Sequence, residues 1–198
     1  MKRTQARSVA VLALAGIFLT AAALAVQEKA TPDQAKPVKE EFSGNLLLWA
    51  AGAMSGRSTR LTMTIEHWTT DEERAALLKE LTEGGSDALL KAMRKTTVGY
   101  VRTAQSLRYA LNIASSFQTE KGRVIRLVTE RPIAFGEAAI STRSMDYEFG
   151  VIEFTLDEKG KGEGVVIPTA KVSIGKDGKL EVETLGTGPQ KLLNVKKD

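Results

Sequence analysis

The chain has 198 residues, with 28 lysine and arginine side chains against 24 aspartate and glutamate and a formal net charge of +4. It contains no cysteine, which excludes a thiol nucleophile, a thiolate metal site and a lipid-anchored cysteine. The single histidine, His67, excludes a metal site built from several histidines.

Residues 1–25 are typical of an export signal. A basic start is followed by an apolar run from Val9 to Ala25, and Ala23-Leu24-Ala25 has the small-x-small pattern that signal peptidase recognises. We therefore expect cleavage after Ala25 and a periplasmic or secreted location. The alternative is an uncleaved N-terminal membrane anchor, because the apolar run is just short of the roughly 18–20 residues that span a bilayer.

Cleavage would also remove most of the positive charge. Losing Lys2, Arg3 and Arg7 lowers the net charge from +4 to +1. The remaining charges of both signs are interleaved and do not form the basic stripe that nucleic-acid-binding proteins carry. We therefore expect no nucleic-acid partner, and no stable membrane insertion after signal cleavage.

Residues 26–41 are polar and contain Pro32 and Pro37, which predicts a flexible linker before a single β-rich globular domain over 42–198. From Phe42 to Trp68 the pattern predicts two strands joined by a turn at Ser55-Gly56. In the second strand, threonines alternate with Leu61, Met63 and Ile65, as in a half-buried strand.

The pattern then changes to a helical period. Thr70 and Glu73 form a predicted capping box at the start of a helix, and Gly84-Gly85 predicts its end. Ser86 can cap a second helix. The sequence therefore predicts a helical hairpin inserted between strands.

The rest of the domain returns to strands that are separated by glycine-rich turns. The clearest alternation runs from Leu107 to Gln118, and Lys191 to Val195 is predicted to be a final edge strand. The other predicted strands are 98–102, 123–130, 145–156, 165–174 and 180–185. We therefore predict an α+β, β-rich fold: an antiparallel sandwich or open barrel of about nine strands with an inserted helical hairpin.

Catalytic motifs are not found in the sequence. There is no G-x-S-x-G nucleophile elbow, and the glycine-rich segment 160–164 lies between two predicted strands, where a hairpin turn is expected instead of a phosphate-binding loop. We therefore predict no catalytic residue, no metal and no cofactor. Carboxylates on strands or at their ends leave acid–base hydrolysis open as an alternative; they are Glu66, Asp146, Glu148 and Glu153.

Candidate ligand-binding residues come from two places. The first is the segment Arg131 to Asp146, a long connection between strands whose arginines and phenylalanine suit an anionic or planar group. The second is the end of the strand that contains His67. The candidates are His67, Trp68, Arg131, Phe135, Arg143 and Asp146. The alternative is structural: a crossover loop that closes the core, and a partly buried histidine and tryptophan.

Three stretches carry a resemblance to a known group of proteins: Leu61 to Thr70, Arg131-Pro132-Ile133 and Asp157 to Gly164. In these the chain resembles an uncharacterised family of exported bacterial proteins with no assigned activity. The resemblance implies an exported single domain and supplies no site residues.

These observations favour a non-enzymatic binding or interaction domain of the bacterial envelope, whose partner is an envelope protein or a small ligand. One alternative is a carboxylate- or metal-dependent hydrolase. Another is a structural envelope component. The missing catalytic motifs lean against an enzyme.

Overall fold

The computed structural model describes residues 39–50, 53–104, 106, 108–133, 148–174, 180–184 and 189–198. Their elements, in chain order, are β1 (Glu40–Ala50), β2 (Ala53–Ile65), α1 (Asp71–Met93), β3 (Gly99–Thr103), β4 (Tyr109–Leu111), β5 (Ile113–Thr119), β6 (Gly122–Thr129), β7 (Phe149–Leu156), β8 (Lys161–Ile174), β9 (Leu180–Thr184) and β10 (Gln190–Lys197). The first strand thus begins two residues before the predicted start of the domain at Phe42.

All these strands belong to one antiparallel sheet. Its order is β4-β3-β2-β1-β10-β8-β7-β6-β5, and β9 pairs with the last part of β8. The two ends of this order, β4 and β5, are successive stretches of chain separated only by Asn112. The sheet therefore curls into a nearly closed barrel, which confirms the predicted β-rich antiparallel fold in its barrel form.

Asn112 lies where the barrel closes. It separates β4, which pairs with β3, from β5, which pairs with β6. Its amide nitrogen donates to the carbonyl oxygens of Met93 at 2.9 Å and Thr96 at 2.7 Å, and its side-chain oxygen accepts from the amide of Glu130 at 2.8 Å. The side chain is only 3% exposed. These bonds satisfy one carbonyl at the end of α1, one carbonyl in the connection after it, and the amide that follows β6. The predicted single alternation from Leu107 to Gln118 is therefore split into two strands.

Apolar side chains fill the barrel interior, because a barrel of about eight strands is just wide enough inside to be filled by side chains. Phe42 and Phe154 meet edge to face there, with ring centroids 5.3 Å apart. The buried members of this inner core are Phe42, Leu46, Leu61, Met63, Ile65, Val98, Val101, Leu111, Ala114, Ile125, Leu127, Ile133, Ile152, Phe154, Leu156, Val166, Leu192 and Val195.

The helix begins with the predicted capping box. Thr70 Oγ1 accepts from the amide of Glu73 at 3.2 Å, and the Glu73 carboxylate accepts from the amide of Thr70 at 2.8 Å. The predicted helical hairpin is instead one helix with a kink, because only Gly85 leaves the helical conformation, at φ 71° and ψ −163°. One non-helical residue changes the direction of a helix but is too short to be the loop of a hairpin.

The helix covers part of the outer face of the barrel. Its buried leucines and Met93 pack on β7 and β8 in a second core, and Ser86 Oγ donates to the carbonyl of Val172 at 2.6 Å. The members of this outer core are Leu81, Leu89, Leu90, Met93, Phe149, Val151, Ile167, Ala170 and Val172. Within the described part of the chain, no helix has the length and apolarity needed to cross a membrane.

Two predicted boundaries differ from the structure. Ser55 and Gly56 lie inside β2, because Ala50 pairs with Ala53 and the strands join closer to the N-terminus than predicted. The predicted final edge strand is β10, which lies between β1 and β8. The sequence does not reveal this, because it depends on pairing between the two ends of the domain.

Candidate functional site

The predicted candidates are only partly within the described residues. Phe135, Arg143 and Asp146 lie outside them, so the proposal for this segment stays a prediction. His67, Trp68 and Arg131 are described, and they have separate sets of partners.

Trp68 belongs to a polar cluster that closes one end of the barrel. Glu40 points inward, because it precedes the buried Phe42 by two positions on β1, and Arg123 has the same relation to Ile125 on β6. The Arg123 guanidinium donates to both Glu40 oxygens, at 2.9 and 3.0 Å. Trp68 Nε1 donates to Glu40 Oε1 at 3.2 Å.

The carboxylate of Glu40 is surrounded by hydrogen-bond donors and by two cations. Glu40 is 6% exposed, and the ammonium of Lys197 lies 3.0 Å from it as a second cation. Burial alone would raise the pKa of Glu40, but hydrogen bonds from Arg123 and Lys197, together with their charges, outweigh it and lower this pKa from 4.5 to about 2. Since the indole and both cations are already engaged, we assign the cluster a structural role.

Trp68 is held on its ring face as well. The Arg123 guanidinium carbon lies 5.1 Å from the centroid of the indole, and the ring packs against the inner core. In a regular continuation of β2, Trp68 would share the face of Thr62 and Thr64. It turns inward because β2 ends at Ile65 and the chain bends before it enters the helix.

His67 lies in that bend and is half-buried. Its backbone amide donates to the carbonyl of Val98 at 3.3 Å, and its imidazole makes no hydrogen bond with any residue that the structure describes. The same described residues contain no group of three histidine, aspartate or glutamate side chains that could hold a metal ion.

Arg131 lies just after β6 and is held by aromatic and backbone contacts. Its guanidinium carbon is 4.5 Å from the centroid of the Tyr109 ring, and its Nη2 donates to the carbonyl of Arg108 at 3.4 Å. These partners differ from those of Trp68. The structure therefore places Arg131 and Trp68 in separate clusters.

A polar groove of about 250 Å³ lies on the outer face of β1, β2 and β3. Its lining residues are Lys39, Glu41, Thr64, Glu66, Tyr100, Arg102 and Arg108. They share this face because each strand alternates: Glu41, Thr64 and Tyr100 are register partners across three strands, while their neighbours Phe42, Met63 and Val101 point into the barrel.

Charges of opposite sign occupy different parts of the groove. Arg108 directly precedes β4 and lies on the β3 side of the groove with Arg102, where its guanidinium carbon is 5.7 Å from the centroid of the Tyr100 ring. Glu41 lies two strands away and accepts from Thr64 Oγ1 at 3.5 Å. Across the sheet, the groove thus has an arginine end and a carboxylate end.

Sequence reasoning identified Glu66 as a carboxylate of interest and missed the other charged residues of the groove, which are Lys39, Glu41, Arg102 and Arg108. The signal was present in the alternation of β2, which assigns Glu66 to the same face as Thr62 and Thr64. Which strands lie beside β2 could not be known from that pattern. Glu41 was assigned to the linker, although it lies in β1.

Chemically, the groove offers hydrogen-bond donors and acceptors of both charges around one aromatic ring, on strands whose positions are fixed by the core beneath them. These groups can donate hydrogen bonds to, and accept them from, a polar molecule. Comparison of the chain with known proteins matched no family model, no curated protein and no solved structure.

Proposed function

We propose that the chain is an exported, non-enzymatic binding protein of the bacterial envelope, and that it binds a small polar ligand in the groove on β1, β2 and β3. The observation that carries the proposal is the concentration of charged side chains around Tyr100 in one depression of the outer face. Export is inferred from residues 1–25, whose composition is that of a cleavable signal.

The charged groups of the groove that have no protein partner favour a ligand site over a solvated surface without a function. Across the described residues, neither Arg102 nor Glu66 forms a salt bridge or a side-chain hydrogen bond. The inward cluster around Glu40 has its carboxylate fully engaged. The groove therefore keeps donors and acceptors free for a ligand, and the Glu40 cluster does not.

The experiment is an NMR titration of the ¹⁵N-labelled domain with low-molecular-mass compounds fractionated from the bacterial envelope. We expect chemical-shift changes to concentrate at Thr64, Glu66, Tyr100 and Arg102. Arg102→Gln should weaken these changes. Lys191→Gln, which removes an exposed charge from β10, should not. Shift changes confined to other faces, or none with any fraction, would contradict a binding role for the groove.

The mature N-terminus tests export directly. Mass spectrometry of the protein recovered from the producing bacterium should show a chain that begins at Val26 in the periplasmic or secreted fraction. A chain that keeps residues 1–25 and stays with the membrane would indicate the anchored alternative.

A hydrolase remains the second candidate, because two carboxylates, Glu41 and Glu66, line the same groove. A pair of carboxylates can supply the acid and the base of a hydrolytic reaction. In that case a bound envelope compound would be converted to product during the titration, and Glu66→Gln would stop the conversion while binding persists. A ligand recovered unchanged after prolonged incubation would favour the binding role.

A further inference from the structure

We propose that the groove takes a zwitterionic ligand of the short-peptide class, with its carboxylate between Arg102 and Arg108 and its ammonium group at Glu41 and Glu66. This proposal rests on the proposed function of the groove and specifies the chemistry of its ligand. It follows from how the charges are distributed across the strands.

The arginine end is arranged for an anion. Arg102 lies on β3 and Arg108 directly precedes β4, and both line the same side of the groove. Two cations on one side of a groove repel each other unless an anion neutralises them. Among the described residues, neither forms a salt bridge with an acidic side chain. Contact with the Tyr100 ring orients the guanidinium of Arg108. The planar fork of donors on a guanidinium group matches the two oxygens of a carboxylate.

The carboxylate end is arranged for a cation. Glu41 and Glu66 lie at this end of the groove together with Lys39, so that the carboxylates outnumber the cation. The Thr64 hydroxyl donates to Glu41 at 3.5 Å and orients its carboxylate. An ammonium group has three donors and no acceptor, and it is therefore satisfied by carboxylate oxygens.

The separation of the two ends indicates the size of the ligand. Arg102 and Glu41 are two strands apart, about 10 Å, and two residues apart along the strands, about 7 Å, which together put their Cα atoms about 12 Å from each other. The ends of an extended tripeptide are separated by about 10 Å. An extended tripeptide, with one charge at each end, is therefore no longer than the span between these two residues.

The experiment compares trialanine with its N-acetylated form, its C-terminal amide and the doubly capped form, by calorimetry and NMR with the domain. We expect trialanine to bind at least about tenfold more tightly than either singly capped form, because each cap removes one charge-assisted contact. Arg102→Gln should abolish the preference for trialanine over its C-terminal amide and leave the preference over the N-acetylated form unchanged. Glu66→Gln should abolish the preference for trialanine over its N-acetylated form and leave the preference over the C-terminal amide unchanged. Lys191→Gln should change neither preference.

The capping series on the unaltered domain decides the proposal even if a variant fails to fold. Equal affinities across the series, or no binding of any of the four peptides, would overturn it. The proposed function would then still be decided by the titration with envelope fractions, where a groove that binds a compound of another class would sustain it.

Discussion

The inward-facing Glu40 shows how one residue can be misjudged from sequence and still anchor the fold. It lies in a polar stretch that predicts a linker, yet it is 6% exposed and contacts two other strands and the bend after β2. Its partners, Trp68, Arg123 and Lys197, are remote in sequence. No local pattern could have indicated that they meet.

We expect Glu40→Gln to lower the free energy of unfolding at neutral pH by about 2–3 kcal/mol, because the neutral amide no longer compensates two cations. Urea denaturation would measure this. Glu163→Gln, on an exposed position of β8, is the matched control and should change stability by less than about 0.5 kcal/mol. An equal loss in both variants would contradict the structural role of the cluster.

The pH dependence of stability follows from the lowered pKa of Glu40. Because the folded protein stabilises the ionised form, this contribution is complete above pH 4.5 and is lost as the pH falls from 4.5 towards 2. Unfolding measured between pH 6 and 2.5 should therefore show a decline that is smaller in Glu40→Gln. Parallel pH curves for the two proteins would refute this assignment.

Asn112 is the other residue on which the barrel depends. Asn112→Ala removes the Asn112 partner of the Thr96 carbonyl and of the Glu130 amide, while the Met93 carbonyl keeps its bonds from Thr96. We expect a loss of about 2–3 kcal/mol in the free energy of unfolding. Asn45→Ala, at an exposed position of β1, provides the control in the same denaturation experiment. A loss below about 1 kcal/mol would mean that water replaces these bonds at no cost.

At the scale of elements, the sequence predicted those features of helices and strands that arise from interactions between residues close together in the chain. The capping box at Thr70 and the alternation of β2 are both confirmed, because the interactions that produce them lie within a few residues. The glycine pair was predicted to end the helix, but only Gly85 leaves the helical conformation and α1 continues to Met93. Whether a chain reverses or only bends at a glycine is decided by packing, here the fit of the helix on β7 and β8.

The kink itself can be tested at Gly85. Its φ of 71° and ψ of −163° lie in a region that only glycine occupies readily, while a Cβ placed there would have no atom within 4 Å. Gly85→Ala should therefore lower the free energy of unfolding by about 1–3 kcal/mol through backbone strain alone. Thermal denaturation would measure it against Glu83→Ala on the exposed helix surface. A neutral effect of Gly85→Ala would indicate that the kink is not required.

At the scale of the whole molecule, the first and last strands of the chain are neighbours in the middle of the sheet. β1 pairs with β10, and the amide of Asp198 donates to the carbonyl of Glu41 at 2.9 Å. A sequence pattern predicts strands but not which ones meet, so the choice between sandwich and barrel was left open. The groove has the same origin, since its charges come from strands whose order the pattern does not specify.

The pairing of β1 with β10 predicts how the chain behaves when β10 is removed, and when β10 is moved to a position before β1. Removing residues 189–198 exposes the edges of β1 and β8 and should abolish cooperative unfolding by urea. Placing the same residues before Lys39 through a short glycine-rich linker should restore it, because the two ends already touch. A truncated chain that still unfolds cooperatively would show that β10 is dispensable.

The pairing of the first strand with the last also sets when the domain can form. A ribosome delivers residues at roughly 5–20 per second, so β10 follows β1 by on the order of 10–30 seconds, during which β1 lacks one of its two neighbours. Contacts between such distant residues also slow folding after synthesis is complete. The barrel is thus assembled late, and the chain passes through a period in which it can be moved, bound or degraded as an unfolded polypeptide.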